Sequence, residues 1–299
     1  MRIIEWMALF ALAFLWGTSF LFMELAIPSF AAFTLVFIRV GIAAVLLWLL
    51  LLWRRQQPWR IIAQRWRPYA VLGLLGTAFP FLCFSWGQRY IESGLASILN
   101  ALVPLVVLLL ALCIGREKYS FMRIFGIVLG FVGVGVLVQP DGVGMEWRGI
   151  VAALLAVLSY ATATNYAWGR VSQYAPQENA WGQVFFASLY MLPFTFYEQP
   201  WTATFTPTAV IAIIGLAVFS TFLAYLVYYF LLSNAGGVNA MLSVLLIPPI
   251  AVVLGVVFLE EKFDHTFFIG ATFIMAGIIF ADEKLRRLLR QQLGQLWFR

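Results

Sequence analysis

Ten long apolar runs constrain this chain more than any other feature. They fall near residues 4–22, 30–53, 67–88, 93–114, 121–138, 148–168, 178–197, 208–232, 237–258 and 264–282. A helix needs about 20 apolar residues to cross a bilayer, and the runs lack the alternation of barrel strands. Charged residues make up only 11% of the chain, against about a quarter in soluble domains. The pattern predicts an all-α integral membrane protein with ten transmembrane helices.

The placement of cationic residues predicts the orientation of these spans. Ten spans put both termini on one side of the membrane. If that side is cytoplasmic, the outside segments hold only Arg89, Arg148 and Lys262, and every other Lys or Arg except Arg39 lies in an inside segment. This bias follows the positive-inside rule. It predicts cytoplasmic termini, with 289–299 as a basic tail. It also explains the net charge of +6 without a nucleic-acid partner.

An internal repeat appears when the chain is shifted by 144 positions. The shift pairs Pro104 with Pro248, Glu117 with Glu261, Lys118 with Lys262, Gly126 with Gly270, Gly133 with Gly277, Trp16 with Tyr160, Thr77 with Thr221, Phe81 with Tyr225 and Phe84 with Tyr228. We therefore expect two five-helix repeats, 1–144 and 145–288. Because five is odd, the second repeat would enter the membrane from the opposite side. Inverted repeats of this kind are typical of transporters.

Several local segments carry a family resemblance that covers nearly the whole chain. They are Trp16-Gly17-Thr18-Ser19, Arg39 in the second run, the 96–104 stretch ASILNALVP, and Gly115 to Lys118 followed by Gly126 and Gly133. With them the chain resembles the EamA-type branch of the drug/metabolite transporter superfamily. The resemblance implies ten helices, a cavity between helices 1, 3, 4, 6, 8 and 9, and efflux of small metabolites across a bacterial inner membrane. The many aromatic residues are similar to those of YddG-type exporters of aromatic and other amino acids.

Helical spacing places aromatic and neutral polar residues on the faces that would line such a cavity. These candidate substrate-binding residues are Trp16, Ser19, Thr77, Phe81, Phe84, Ser97, Asn100, Tyr160, Asn165, Thr221, Tyr225, Tyr228 and Ser243. They predict an uncharged, aromatic-lined cavity that suits amphipathic solutes, since rings stack or hold cations while Asn and Ser meet polar ends. The phenylalanines are also consistent with packing, and Asn100 with joining two helices.

Two prolines and one arginine stand out inside the predicted spans. Pro104 and Pro248 occupy equivalent positions and would each kink a helix, which predicts hinges; static kinks are the alternative. Arg39 is costly to bury, at about 2.5–3.5 kcal/mol on insertion scales. It could bind a substrate carboxylate, although we favour a structural charge that ties its helix to backbone carbonyls or to Glu24.

Four further positions bear on architecture and on opening of the cavity. Gly126 and Gly130 form a small-xxx-small pattern typical of close helix contact, so we expect the fifth and tenth helices to be scaffold. Glu117 and Glu261 sit with their lysines at helix ends, where exposed ion pairs contribute little. A gating role is the other interpretation of these two glutamates.

The residues that are missing argue against catalysis. The chain has one histidine, and Cys83 and Cys113 lie inside apolar runs. We therefore expect that the protein is not an enzyme and binds no metal or cofactor, and that both thiols are buried. Carboxylates are absent from the middle of the runs, which favours facilitation or exchange over proton coupling. The sequence predicts a monomeric carrier in the bilayer that exports small amphipathic metabolites, mainly amino acids, by alternating access. A passive channel or an exporter of hydrophobic cations and drugs are the alternatives.

Overall fold

A computed structural model describes residues 3–137, 147–167, 170–171, 173–202, 205–234, 237–281 and 283. Within these ranges the regular structure is helical throughout. The α-helices are α1 (Ile3–Ala26), α2 (Ala32–Trp53), α3 (Pro58–Gly73), α4 (Phe79–Gly87), α5 (Ser93–Asn100), α6 (Val103–Cys113), α7 (Phe121–Leu137), α8 (Trp147–Ala167), α9 (Pro176–Tyr197), α10 (Pro207–Ala217), α11 (Ala224–Asn234), α12 (Gly237–Leu259) and α13 (His265–Ala281). A 3₁₀ turn, Pro200–Thr202, precedes α10. The predicted tail 289–299 lies outside the described residues.

Six helical stretches are long and apolar enough to cross a membrane. They are Ile3–Ala26, Ala32–Trp53, Pro58–Gly87, Ser93–Cys113, Trp147–Ala167 and Pro207–Leu231. Phe121–Leu137 and His265–Ala281 are shorter apolar helices, and Ser243–Leu259 is an apolar stretch of α12. The remaining long helix, α9, is more polar because Glu178, Asn179 and Gln183 lie in its first half. The helices therefore belong to a multi-pass membrane protein.

The outer surface of the bundle is apolar along its length. Large apolar side chains on this surface are at least half exposed, among them Phe10 and Phe14 of α1, Val128 of α7, and Phe268 and Ile269 of α13. An apolar surface this extensive requires lipid around it. Cys113 also lies on this surface and is exposed, so the prediction that both thiols are buried is wrong for it, while Cys83 is buried. Cys113 is the last residue of α6, where neighbouring helices no longer cover it.

Two spans are interrupted where prolines remove backbone hydrogen bonds. The predicted run 93–114 breaks at residues 101–102 and resumes as α6 with Pro104 in its first turn. Its counterpart Pro248 lies inside α12, which continues past it. The predicted run 67–88 begins earlier than expected, at Pro58, because an amphipathic turn precedes it. Within α3 the backbone is non-helical at Arg65, one turn before Pro68, since the proline ring crowds the preceding turn.

Two π-helical segments lie at equivalent places in the chain. Leu74–Ala78 joins α3 to α4, and Val218–Leu223 joins α10 to α11. The first begins 144 positions before the second, and they contain the paired residues Thr77 and Thr221. A π-helical turn inserts one extra residue and re-aims the side chains beside it, and such turns are frequent at functional sites. Both insertions fall next to candidate cavity residues.

The helix bounds and contacts of the two halves also correspond. The bounds of α2 and α9 are 144 positions apart, as are those of α7 and α13. Each of these helices packs against its own counterpart. In addition α1 packs against α11 and α12, while α8 packs against α4, α5 and α6, the equivalent helices of the other half. The contacts are therefore preserved when the halves are exchanged.

Glycines bring α7 and α13 into direct contact. A Cβ atom at Gly126 would lie 2.5 Å from the Gly277 carbonyl oxygen, and one at Gly133 would lie 2.7 Å from that of Gly270. Early positions of α7 thus meet late positions of α13, so the two helices are antiparallel. The close-contact role predicted for Gly126 is confirmed. At Gly130 a Cβ would collide with Leu105 of α6.

The glycine contact can be tested by adding one methyl group. We expect Gly133→Ala to lower the stability of the bundle by about 1–3 kcal/mol, because over-packing forces the helices apart. Gly135→Ala is the matched control, since a Cβ there meets nothing within 4 Å. Thermal unfolding in detergent should show a lower melting temperature for Gly133→Ala alone. Equal melting temperatures for both variants would contradict the contact.

Candidate functional site

A buried polar network joins the first π-helical segment to α9 and α11. The Thr77 hydroxyl lies 3.1 Å from the Tyr225 hydroxyl. Gln183 Nε2 donates to Thr77 Oγ1 at 2.7 Å and to the Gly76 carbonyl at 3.0 Å. Thr77 and Tyr225 belong to different halves of the chain, and both are buried. The network therefore joins the halves at the level of the π-helical segments.

Arg39 lies beside this network and contacts both halves. Its Nε donates to Thr221 Oγ1 at 2.9 Å, and Thr221 in turn donates to the Leu216 carbonyl at 2.8 Å. The guanidinium carbon is 3.7 Å from the centre of the Phe81 ring. A charged hydrogen bond contributes about 1.5–3 kcal/mol and a desolvated cation–π contact about 2 kcal/mol. Together they offset the cost of burying the charge, which is of similar size.

This placement corrects two expectations about Arg39. It does not reach Glu24, whose carboxylate instead accepts from Gln88 Nε2 at 3.2 Å, because Glu24 is at the far end of α1. Among the described residues, no carboxylate pairs with Arg39, which is only 2% exposed. The predicted cavity was uncharged, yet the predicted residues Phe81 and Thr221 contact a buried cation. Within the described ranges it contacts a hydroxyl and a ring rather than backbone carbonyls.

Aromatic rings surround the network on two sides. The Trp16 ring is 5.5 Å from that of Tyr228, and Tyr228 packs edge-on against Tyr229 at 5.0 Å. On the other side the Phe84 ring is 6.5 Å from that of Tyr160. Tyr160 also packs with the cluster that contains Phe81. Seven of the predicted residues are thus interconnected, which are Trp16, Thr77, Phe81, Phe84, Tyr160, Tyr225 and Tyr228, and Thr221 joins them through Arg39.

The remaining predicted residues have different surroundings. Asn165 joins helices, since its Nδ2 donates to the Val107 carbonyl at 3.0 Å. The Ser97 hydroxyl donates to the Gly94 carbonyl of its own helix at 2.6 Å. Ser19 and Ser243 are buried, and Asn100, half-buried, ends α5. The Asn165 amide and the Ser97 hydroxyl thus donate to backbone carbonyls rather than to side chains of the aromatic cluster.

Sequence reasoning missed Gln183 and Tyr229. Gln183 is a polar residue inside a predicted span, which is itself a signal of function or helix joining, but the predicted cavity does not include its helix. Tyr229 lies one turn beyond Tyr225 and stacks with it at 6.2 Å. Its hydroxyl is 3.5 Å from Gln183 Oε1. Both residues therefore extend the site toward α9.

A separate pocket lies at the turn between α2 and α3. Its volume is about 290 Å³, and it is lined by Arg55, Gln56, Gln57, Arg60, Ile61, Gln64, Arg65 and Glu178. Arg65 pairs with Glu178 of α9 and lies over the Tyr174 ring. None of the predicted substrate-binding residues lines this pocket. The pocket is therefore distinct from the candidate site.

The helical fold, with its apolar spans, is that of a multi-pass membrane protein rather than of a soluble domain. Comparison with known proteins gives the family. The sequence model of the EamA-like transporter family matches the chain twice, over residues 3–139 and 147–281. The chain belongs to this family. The resemblance to the EamA-type branch is confirmed, and the likeness to YddG-type exporters stays a prediction.

Several curated relatives align over most of the chain. An uncharacterized transporter of Archaeoglobus fulgidus is 23% identical over 94% of this chain and 99% of its own length. Protein PagO of Salmonella typhimurium is 27% identical over 80% of each chain. Protein PecM of Dickeya dadantii is 24% identical over 90% of this chain and 89% of its own. A solved crystal structure superposes with a TM-score of 0.66 over 96% of this chain at 19% identity, which shows likeness of fold alone.

Removing the Gln183 amide tests the polar network. Gln183→Leu should leave the Gly76 carbonyl without a buried partner, which costs about 1–3 kcal/mol. Gln64→Leu, at an exposed position of α3, is the control. We expect the melting temperature to fall for Gln183→Leu and to stay within error for Gln64→Leu. If the two variants melted alike, the network would be incidental to the fold.

Proposed function

We propose that this protein is a carrier that exports small amphipathic metabolites, foremost amino acids including aromatic ones, across the bacterial inner membrane. Its two halves, 1–144 and 145–288, would form ten transmembrane helices as inverted five-helix repeats, with both termini cytoplasmic. Alternating access would then arise because exchanging the conformations of the halves exchanges the open side. The carrier would act as a monomer, without a cofactor or catalysis.

Four observations support the inverted repeats. The family sequence model matches each half separately. The π-helical segments occur at equivalent positions. Contacts are preserved on exchange of the halves. Finally, α7 and α13 are antiparallel although they are equivalent helices, as the pairing of Gly133 with Gly270 requires. Equivalent helices that run in opposite directions are what a two-fold axis in the membrane plane produces.

The single observation that carries the substrate proposal is the environment of Arg39. In the described part of the chain this buried guanidinium donates from Nε to Thr221 and has no carboxylate partner. A substrate carboxylate would supply the missing anion, and guanidinium–carboxylate pairs are well matched in geometry. The rings of Trp16, Tyr160 and Tyr228 would accept the apolar part of the solute. An amino acid with a large side chain meets both requirements.

Counterflow in proteoliposomes tests the substrate class. The probes are phenylalanine and phenethylamine, which is the same molecule without the carboxylate. We expect Arg39→Met to slow phenylalanine counterflow at least about tenfold, the value of one charged hydrogen bond, and to affect phenethylamine much less. Arg39→Lys should be intermediate because it keeps the charge but loses the planar fork. Equal losses for both probes would show that Arg39 is structural.

The same assay separates the proposal from its alternatives. A wild-type protein that prefers phenethylamine to phenylalanine would be an exporter of hydrophobic cations. A passive channel would not show counterflow or saturation. For the aromatic wall, we expect Trp16→Ala and Tyr228→Ala to raise the half-saturation concentration of phenylalanine, since each removes a stacking surface. Exposed Trp53→Ala, at the end of α2, is the control, and normal transport by both site variants would contradict the proposed pocket.

A further inference from the structure

Glu261 joins the ends of α5 and α12 that the predicted topology places outside. Its Oε1 accepts from the Ser93 backbone N–H at 2.8 Å, and its Oε2 accepts from that of Gly94 at 3.1 Å. These are the first two N–H groups of α5, which have no acceptor within the helix. The carboxylate also faces the positive end of the helix dipole. We call this contact the Glu261 clasp.

The chain around the carboxylate is shaped to hold it. A Cβ atom at Gly255 would collide with Glu261 Oε2, and one at Gly94 would lie 3.3 Å from it and collide with the Phe263 ring. The Glu261 backbone N–H donates to the Gly255 carbonyl at 3.2 Å. Glu260 has a φ of 57°, which is uncommon for a residue other than glycine. This turn sends Glu261 back toward α5.

The first half of the chain repeats the turn, since the Glu117 N–H donates to the Ala111 carbonyl at 3.3 Å, but the Glu117 carboxylate has a different partner. The 144-position shift pairs Glu261 with Glu117, Gly255 with Ala111, and Gly94 with Val238. Ala111 has a Cβ atom at the position equivalent to Gly255, where a Cβ atom would collide with the carboxylate. Glu117 instead accepts from Arg123 Nη1 at 2.9 Å. Paired glutamates in the sequence are therefore unequal in the structure.

We propose that Glu261 is a one-sided positioning residue of the transport cycle. The clasp holds the outer ends of α5 and α12 together and breaks each time the outer side opens, while Glu117 has no matching role. Helix α5 carries Ser97 and Asn100, so release of the clasp moves candidate site residues. The clasp thus stabilises the conformation whose outer side is closed, and the conformation whose inner side is closed has no equivalent contact. This inference rests on the alternating access proposed above.

Cysteine labelling measures the clasp directly. The reporter is Ser97→Cys, one turn into α5, in the full-length protein with Cys83→Ala and Cys113→Ser. A membrane-impermeant maleimide is applied from outside to oriented vesicles. Glu261→Gln removes the negative charge. It also replaces one acceptor oxygen by an N–H₂ group, so one of the two backbone N–H groups of α5 loses its acceptor. We expect it to raise the outside labelling rate about tenfold, the value of one charged hydrogen bond, and Glu117→Gln to leave the rate unchanged.

A second pair of variants separates the clasp from the charge alone and from loss of fold. Gly255→Ala keeps the carboxylate but displaces it, so it should raise the labelling rate as Glu261→Gln does. Ala111→Gly is its matched control and should have no effect. Faster labelling in Glu261→Gln without the same change in Gly255→Ala would overturn the clasp. So would an equal response to Glu261→Gln and Glu117→Gln.

Labelling from each side distinguishes failure of the clasp from failure of the carrier proposal. Inside labelling of the same reporter should fall when outside labelling rises, because the two openings exclude each other. If the wild-type reporter labels at similar rates from both sides and shows no counterflow, alternating access is wrong. If counterflow is normal while Glu261→Gln leaves both rates unchanged, the carrier proposal stands and the clasp is wrong.

Discussion

The structure depends on one constraint, which is that polar groups inside a lipid-exposed bundle must find partners within the protein. The hydrogen bonds at the two π-helical segments follow from it. Gln183 supplies a donor to the Gly76 carbonyl in the first π-helical segment, and Arg39 supplies one to Thr221 in the second. These bonds cross between the halves of the chain. The requirement to satisfy polar groups thus fixes how the halves meet.

The two π-helical segments connect this constraint to the site. A regular helix would present Thr77 and Phe81, or Thr221 and Tyr225, at fixed angles to their neighbours, whereas the inserted residue turns them toward the centre of the bundle. Both segments adjoin the same network, so a rearrangement in one changes the acceptors available to the other. Close glycine contact between α7 and α13 joins the two helices that we expect to be the scaffold of the proposed carrier. The moving and static parts of the proposed carrier are therefore built from different side-chain chemistry.

Much of the architecture could be predicted from the sequence, because apolar length and the 144-position repeat are properties of the chain alone. The close-contact role of Gly126 follows from its small-xxx-small spacing, whereas the contact between the Trp16 and Tyr228 rings does not follow from the repeat. The partners of Arg39 and the role of Gln183 could not be predicted, since helical spacing gives the face of a residue but not which helix packs there. The difference between Glu261 and Glu117 depends on a collision at Gly255 that only packing shows. The Asn165 amide has the hydrogen-bonding groups of a binding residue, yet it joins α8 to α6.

The central claim is that equivalent residues of the two halves face opposite sides of the membrane. Single-cysteine accessibility at Lys118 and Lys262, which are 144 positions apart, tests it most directly. In intact cells, an impermeant maleimide should label Lys262→Cys and leave Lys118→Cys unlabelled until the membrane is permeabilised. Labelling of both from outside, or of neither before permeabilisation, would place the two residues on one side and contradict the inverted arrangement.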